Sequence, residues 1–573
     1  MFLPTTPQEM DQLGWSQVDV ILVTGDSYID SPYIGIAVIG KVLLQAGFRV
    51  GVIAQPNLDS AQDIIRLGEP LLFWGVSAGC IDSMVANYTA LKKKRKNDDY
   101  TPGGFNNRRP DRASIVYTNL IRRYRKNTSP IVLGGIEASL RRIAHYDFWS
   151  DKVRRSILLD AKADYLLYGM AEKAVVELAQ RLQSGDDVRQ IRSLCYLVGE
   201  AEKGSIPSDY LELPSFETVV QDKDALIDMF HLFYQKNDPL SANGLYQKHA
   251  GRYLVQNPPA LYLNQAEMDE VHGLNFERRQ HPYYERQGTV RALETIQFSI
   301  PTHRGCYGEC SFCAIAIHEG RTVRWRSSES ILAEARLMTQ LPEFKGYILD
   351  MGGPTANMYG FECEKKLSRG ACAKKSCLFP EVCPLLKVDH RPLLDLLQKI
   401  RELPGVKKVF VASGIRYDLL LSDQACGSTY LRELVAHHVS GQMKVAPEHC
   451  EDSVLRRMGK PGKTSLMRFK DLFDKISRES GKEQYLTYYL IAAHPGCTEQ
   501  DMVRLKAFTS KKLKIHPEQV QIFTPTPSTY ASLMYFTEMD PFTRQPVFVE
   551  KKPRRKELQK QIVVGKSEQR YGR

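Results

Sequence analysis

The hydrophobic pattern divides into two stretches of strand–helix alternation with a polar interval between them. "QVDVILVT" (17–24) is an apolar run closed by Gly25, long enough for a strand and too short for a helix. A helical period follows at 35–46, closed by Gly47, and a second apolar run comes at 48–55. A strand–helix–strand unit of this kind requires a crossover and therefore a parallel sheet. Further strand candidates lie at 71–78, 130–135 and 163–170, with helices at 112–126 and 171–185. Residues 1–200 are thus expected to form an α/β, doubly wound, Rossmann-like domain.

Residues 201–292 interrupt the alternation. They are polar and rich in tyrosine and asparagine, and read as a helical linker or insertion, with its best helix at 216–235. From 293 the alternation resumes, with strands at 295–301, 346–353, 406–414, 442–448, 485–496 and 519–527. Six strand–helix units predict a partial (βα)6 barrel over 293–545 rather than a closed eight. The basic, proline-interrupted stretch 546–573 is expected to be a mobile tail.

The 573 residues, 43% hydrophobic and 25% charged, fit a globular chain of two to four domains. No apolar run is long enough for a membrane span, and the N-terminus does not read as a signal peptide, so a cytoplasmic location is expected. The net charge of +12 permits an anionic partner but suits a solvated basic surface as well. The basic stretches 91–112 and 550–560 lack the interleaved aromatics of a single-strand groove. Neither nucleic acid nor membrane is an expected partner.

The cysteines change the picture. Of 12, seven lie between 306 and 383, a crowding that points to metal or redox chemistry rather than disulfides. Cys306, Cys310 and Cys313 stand at C-x3-C-x2-C in a loop that follows a strand. A structural zinc site is closed by four ligands. Three thiolates leave one position open, and an iron–sulfur cluster held so keeps one iron free for a small molecule. Cys363, Cys372, Cys377 and Cys383 form a second group in a Cys-rich insertion, 360–385, able to hold a second iron–sulfur cluster or a zinc ion, or simply to be unpaired thiols. Cys80, Cys195, Cys426, Cys450 and Cys497 are scattered and read as core residues. His303 and His318 flank the three-cysteine loop, where either a proton-donating or a packing role is open.

The C-x3-C-x2-C run with Phe312 before its last cysteine resembles the signature of the radical S-adenosylmethionine superfamily. That resemblance implies a [4Fe–4S] cluster on Cys306, Cys310 and Cys313, S-adenosylmethionine bound at its open iron, and reductive cleavage to a 5′-deoxyadenosyl radical. It further implies a one-electron reductant of flavodoxin or ferredoxin type. "DMGGPTAN" (350–357) resembles the glycine turn that approaches the methionine moiety, which nominates Gly352 and Gly353, although Pro354 stands where an acidic residue is usual. Later blocks resembling the same barrels nominate Ser413, Arg416, Glu448 and Arg457 as cofactor-binding, each with a structural role as the alternative. No catalytic residue acting on a substrate is nominated.

"GGFNNRRPDRASIVYTNLIRR" and "GGIEASLRRIAHYDFWSDKVRRSI" extend the likeness: from about 15 to 545 the chain resembles the YgiQ-type radical S-adenosylmethionine family, which implies a cluster enzyme and leaves the substrate open. Residues 1–200 also resemble cobalamin-binding domains. The first loop there, with Asp26, Tyr28, Asp30 and Pro32, holds no histidine, and the first in the chain is His145. Cobalamin would therefore bind without a histidine from that loop, or the domain has lost it and caps the barrel. Two other functions stand as alternatives: a non-catalytic iron–sulfur electron carrier or scaffold, and a radical RNA-modifying enzyme.

Overall fold

The structure is a computed structural model describing residues 1–373 and 376–565. The chain divides into two compact units. The first comprises Met1–Ser299 together with Ile317–Gly320 and Arg369–Ala371. The second takes Ile300–Ala316, Arg321–Ser368 and the described residues from Cys372 onward.

The first unit is built on a nine-stranded sheet. Val20–Thr24 is its central strand, paired in parallel with Val50–Ala54 on one side and Phe73–Ser77 on the other. All five of its residues are buried, as expected of a parallel strand covered on both faces. Ile131–Gly134 and Tyr165–Leu167 continue the parallel run. The spatial order of these five strands is 2-1-3-4-5, a doubly wound arrangement whose switch point lies between the first and third. The helices Gly35–Gln45, Ala113–Tyr124 and Glu172–Ser184 lie where the apolar period places them.

The interval 201–292 is not a helical linker. Leu211–Leu213, Leu245–His249 and Arg252–Gln256 extend the same sheet beyond Leu194–Gly199. Leu245–His249 alternates buried and half-exposed positions, so its hydropathy stays low. The expected helix at 216–235 is two helices, Phe216–Gln221 and Lys223–Gln235, divided at Asp222, whose carboxylate accepts from Asp224 N–H and caps the second.

In the second unit, strands and helices succeed one another along the chain. Ser299–Pro301, at the boundary of the units, pairs with Asp350–Gly352. Tyr347–Ile348 runs parallel to Lys408–Val409, and Ile415 bridges in parallel to Val445. Gln442–Glu448, Tyr485–Ala492 and Val520–Ile522 form a parallel trio. The helices Ser328–Thr339, Arg391–Arg401, Lys463–Glu479 and Glu499–Phe508 fill the intervals.

The expected mobile tail is ordered where it is described. Pro553–Val564 is a helix, with Lys556, Gln559 and Val563 buried. Lys556 Nζ donates to Tyr535 Oη at 2.8 Å, and Gln559 Oε1 accepts from Ala493 N–H at 2.9 Å. Residues 566–573 lie outside the described part. Among the described residues no helix is long and apolar enough to cross a membrane.

Candidate functional site

The loop after Ser299–Pro301 carries the three cysteines, all partly buried. Two observations show it curling around its sulfurs. Gly308 N–H donates to Cys306 Sγ at 3.3 Å. A methyl group on Gly308 would lie 3.2 Å from Cys306 Sγ and 3.6 Å from Cys310 Sγ, closer to the first than most side chains tolerate. Cys313 closes the curl through its N–H, which donates to the carbonyl of Cys310 at 3.0 Å.

Arg416 supplies the charge. Its Nη1 lies 3.7 Å from Cys310 Sγ, while its Nε and Nη2 grip Asp418 at 2.8 and 2.5 Å. Burial opposes the guanidinium charge, but Asp418 and the two sulfurs outweigh it and hold the pKa above its usual value. Burial pushes the Cys306 thiol up, and Cys310 adds to this, while the Gly308 N–H and Arg416 act in the opposite sense. A cation beside paired sulfurs is the environment that thiolate ligands require.

Among the described residues no three Cys, His, Asp or Glu side chains converge as ligands of a single ion. In a cubane each thiolate meets its own iron, so the donor set and its cationic neighbour suit a [4Fe–4S] cluster better than one metal ion.

The nominated cofactor residues fall into three places. Gly352 sits beside Ser413, 3.5 Å from a Cβ built on the glycine. Gly353 packs on His303, whose Nε2 would lie 2.6 Å from such a Cβ, so only glycine lets the ring approach. The Ser413 hydroxyl is taken up by Asp350 Oδ2, and Asp350 Oδ1 accepts from the N–H groups of Ala412 and Ser413. Ser413 thus ties two strand ends together. Glu448 lies within the field of Arg416 and pairs with Lys460 at 3.4 Å; burial still raises its pKa. Arg457 is apart from these: its side chain lies against Gly496 and donates to the carbonyl of Ser453.

Of the flanking histidines, His303 is buried, with its pKa pushed down to about 4 by burial, and its Nδ1 lies 2.8 Å from Thr302 Oγ1. His318 belongs to the first unit, where its Nδ1 lies 3.1 Å from Ser139 Oγ. Sequence reasoning passed over Asp350, Asp418 and Lys460, which hold the nominated residues by pairing. It also passed over Asn357, whose carbonyl accepts from the N–H of Arg416 at 2.8 Å. Asp350 and Asn357 stand at the two ends of the "DMGGPTAN" block, which drew attention only to its glycines.

The second cysteine group sits against the first. Cys363, Cys377 and Cys383 share an apolar cluster with Cys306 and Tyr307. Lys366 links the two groups: Nζ lies 3.4 Å from Cys377 Sγ and 3.9 Å from Glu309, a residue of the three-cysteine loop.

In the first unit, the loop that follows the central strand is held by a buried charge network. Asp26 pairs with Arg109 at 2.6 Å, both side chains fully buried, and Arg109 also pairs with Asp98. Cys80 N–H donates to Asp26 Oδ2 at 2.6 Å. Tyr28 is buried against His281, Asp30 pairs with Lys41 at 3.0 Å, and Pro32 is buried. These loop residues are largely engaged with their own chain, while Asp30 Oδ1 has no hydrogen-bond partner.

Comparison with known proteins gives the family. A family model described as "Radical SAM N-terminal" matches residues 2–299, and one described as a domain of unknown function matches 518–571. The chain is thus a radical S-adenosylmethionine protein. A UPF0313 protein of Fusobacterium nucleatum subsp. nucleatum is 55% identical over 99% of this chain and 100% of its own. One from Thermotoga neapolitana is 48% identical over the full length of both. The chain belongs to the UPF0313 family. Among solved structures, the cobalamin-dependent S-adenosylmethionine radical enzyme OxsB, with aqua-cobalamin bound, has a TM-score of 0.50 at 11% identity, covering 93% of this chain and 57% of that one. That likeness is one of fold.

Proposed function

We propose that this protein is an enzyme that binds a [4Fe–4S] cluster through Cys306, Cys310 and Cys313 and uses it on S-adenosylmethionine. The cluster, when bound and reduced, supplies the electron that cleaves the sulfonium to methionine and a 5′-deoxyadenosyl radical, which takes a hydrogen atom from a substrate. The observation that carries this reading is the buried Arg416 guanidinium 3.7 Å from Cys310 Sγ in a loop of three closely spaced thiols.

The residues of the chain have separable tasks in this reading. Gly308 N–H and Arg416 favour the thiolate forms of the ligands. Gly352 and Gly353 keep the backbone bare where a ligand's amino group would approach. Glu448 and Lys460, a buried pair beside Arg416, set the polarity of the facing wall. The parallel strands of the second unit form, in this reading, a partial (βα)6 barrel with the cysteine loop at its carboxyl end. A small one-electron donor of flavodoxin or ferredoxin type would reduce the cluster.

The second cysteine group is an iron–sulfur site in this reading, since Cys363, Cys377 and Cys383 share an apolar cluster with Cys306 of the first. No step is assigned to a corrin, for which the first loop of residues 1–200 supplies no histidine.

The test is anaerobic reconstitution with iron and sulfide, reduction by dithionite, and chromatographic measurement of 5′-deoxyadenosine. Product above that of the Cys306→Ser variant supports the proposal; a fully loaded wild-type protein that makes none refutes it. Metal analysis of the same samples should find about four irons per cluster, with zinc and cobalt absent.

A further inference from the structure

The first unit contains a cavity far along the chain from the cysteine loops. Arg112, Glu137, Arg141, His145, Arg154 and Asp160 line it, together with Ile115 and Ile157. Most of these charged groups are already satisfied. Arg112 grips Asp147 with two hydrogen bonds, at 3.0 and 2.9 Å. Glu137 accepts from Ser83 and Ser114 N–H groups, and Asp160 pairs with Arg154 and Arg155.

Arg141 is the exception. Only 3% of it is exposed, its Nη1 is paired with Asp82, and its Nε and Nη2 have no partner. Those two atoms form one edge of the guanidinium, the edge that grips an oxyanion through two parallel hydrogen bonds. Buried donors left open are rare and call for a bound water or ion. His145 adds a second open atom. Its Nδ1 donates to the carbonyl of Ile143 at 3.0 Å, so the neutral ring turns an unpartnered Nε2 lone pair to the cavity, fit to accept from an acidic O–H. Burial holds the His145 pKa at about 4 and that of Arg141 at about 10.

We infer that this cavity is a receptor for one tetrahedral oxyanion, a hydrogen phosphate or phosphate monoester, held by the Nε–Nη2 edge of Arg141 with its O–H donated to His145 Nε2. Phosphate offers both the oxygen pair for the arginine and the O–H for the histidine; chloride offers neither. Asp82 and Asp147 stand behind Arg141 and Arg112, so recognition rests on the open donor edge of Arg141 rather than on net charge. The inference is independent of the cluster chemistry.

The test uses the full chain in phosphate-free buffer, with inorganic phosphate as probe and chloride at equal ionic strength as control, read by calorimetry and by thermal midpoint. A saturable phosphate signal that chloride does not reproduce is expected. Competition by glycerol phosphate would show that an ester enters, and its failure would restrict the site to free phosphate. Arg141→Lys keeps the charge and loses the fork, so phosphate affinity should fall about tenfold or more. Arg154→Gln, partly exposed, should weaken binding less and serves if Arg141→Lys does not fold. Equal phosphate and chloride effects, or variants that fold and bind phosphate as wild type does, would overturn the inference, as would diffraction showing a single ordered water there at saturating phosphate.

Discussion

Arg416 and Asp418 should pull the potential of the cluster in opposite directions. The guanidinium lies 3.7 Å from Cys310 Sγ, with Asp418 behind it at 2.5 Å. Two unit charges about 4 Å apart interact by ~4 kcal/mol at an effective dielectric of 20. An added electron is shared over the whole cluster, so about half of that, ~2 kcal/mol, is the working figure. At ~1.4 kcal/mol for each 59 mV, this corresponds to about 90 mV. Arg416→Gln removes a charge that favours the reduced state, so the midpoint should fall by tens of millivolts, at most about 90. Asp418→Asn leaves the cation unopposed, and the midpoint should rise. Arg416→Gln strands a buried carboxylate, at a cost of ~3–5 kcal/mol, so the paired variant Arg416→Gln with Asp418→Asn is the folding control. The assay is an anaerobic redox titration followed by electron paramagnetic resonance on loaded protein. Two single variants that shift in the same direction, or remain within ~10 mV of wild type, would refute the electrostatic assignment.

Other substitutions and pH test separate parts of the structure. Serine at Cys306, Cys310 or Cys313 should abolish 5′-deoxyadenosine formation, whereas Cys377→Ser should lower the iron content and leave the cluster on the first three, as read by iron analysis and spectroscopy. Gly353→Ala puts a methyl 2.6 Å from His303 Nε2, so the ring must move; the thermal midpoint should drop and the cofactor signal weaken. Burial holds His303 and His449 at about 4, so the unfolded chain, near 6.5, binds more protons between these values. Stability should therefore be full above about pH 6.5 and decline towards pH 4, and His303→Asn should flatten part of that decline in denaturation measured across the window.

What hydropathy could reveal depended on where each segment buries its polar atoms. Val20–Thr24 was legible because a parallel strand covered on both faces must be apolar throughout. The sheet extension at 245–256 was not, because a strand with one half-exposed face needs apolar residues only at alternate positions, and "LYQKH" places Gln247 and His249 on the buried side. Gln247 is tolerated there because its amide donates to the carbonyl of Pro214 and accepts from Ala144 N–H. The C-terminal helix misled for the same reason: Lys556 and Gln559 read as solvent-facing, but both are buried on hydrogen bonds to Tyr535 and Ala493. The site follows this rule. Three cysteines at close spacing are visible in any sequence, since their spacing is local. The group that gives them their electrostatics, Arg416, is 106 positions from the Cys310 it faces, and only the fold brings it, with Asp418 behind it, within reach of sulfur. A loop of thiols is thus a statement about which metal chemistry can occur, and the distant cations decide whether it does.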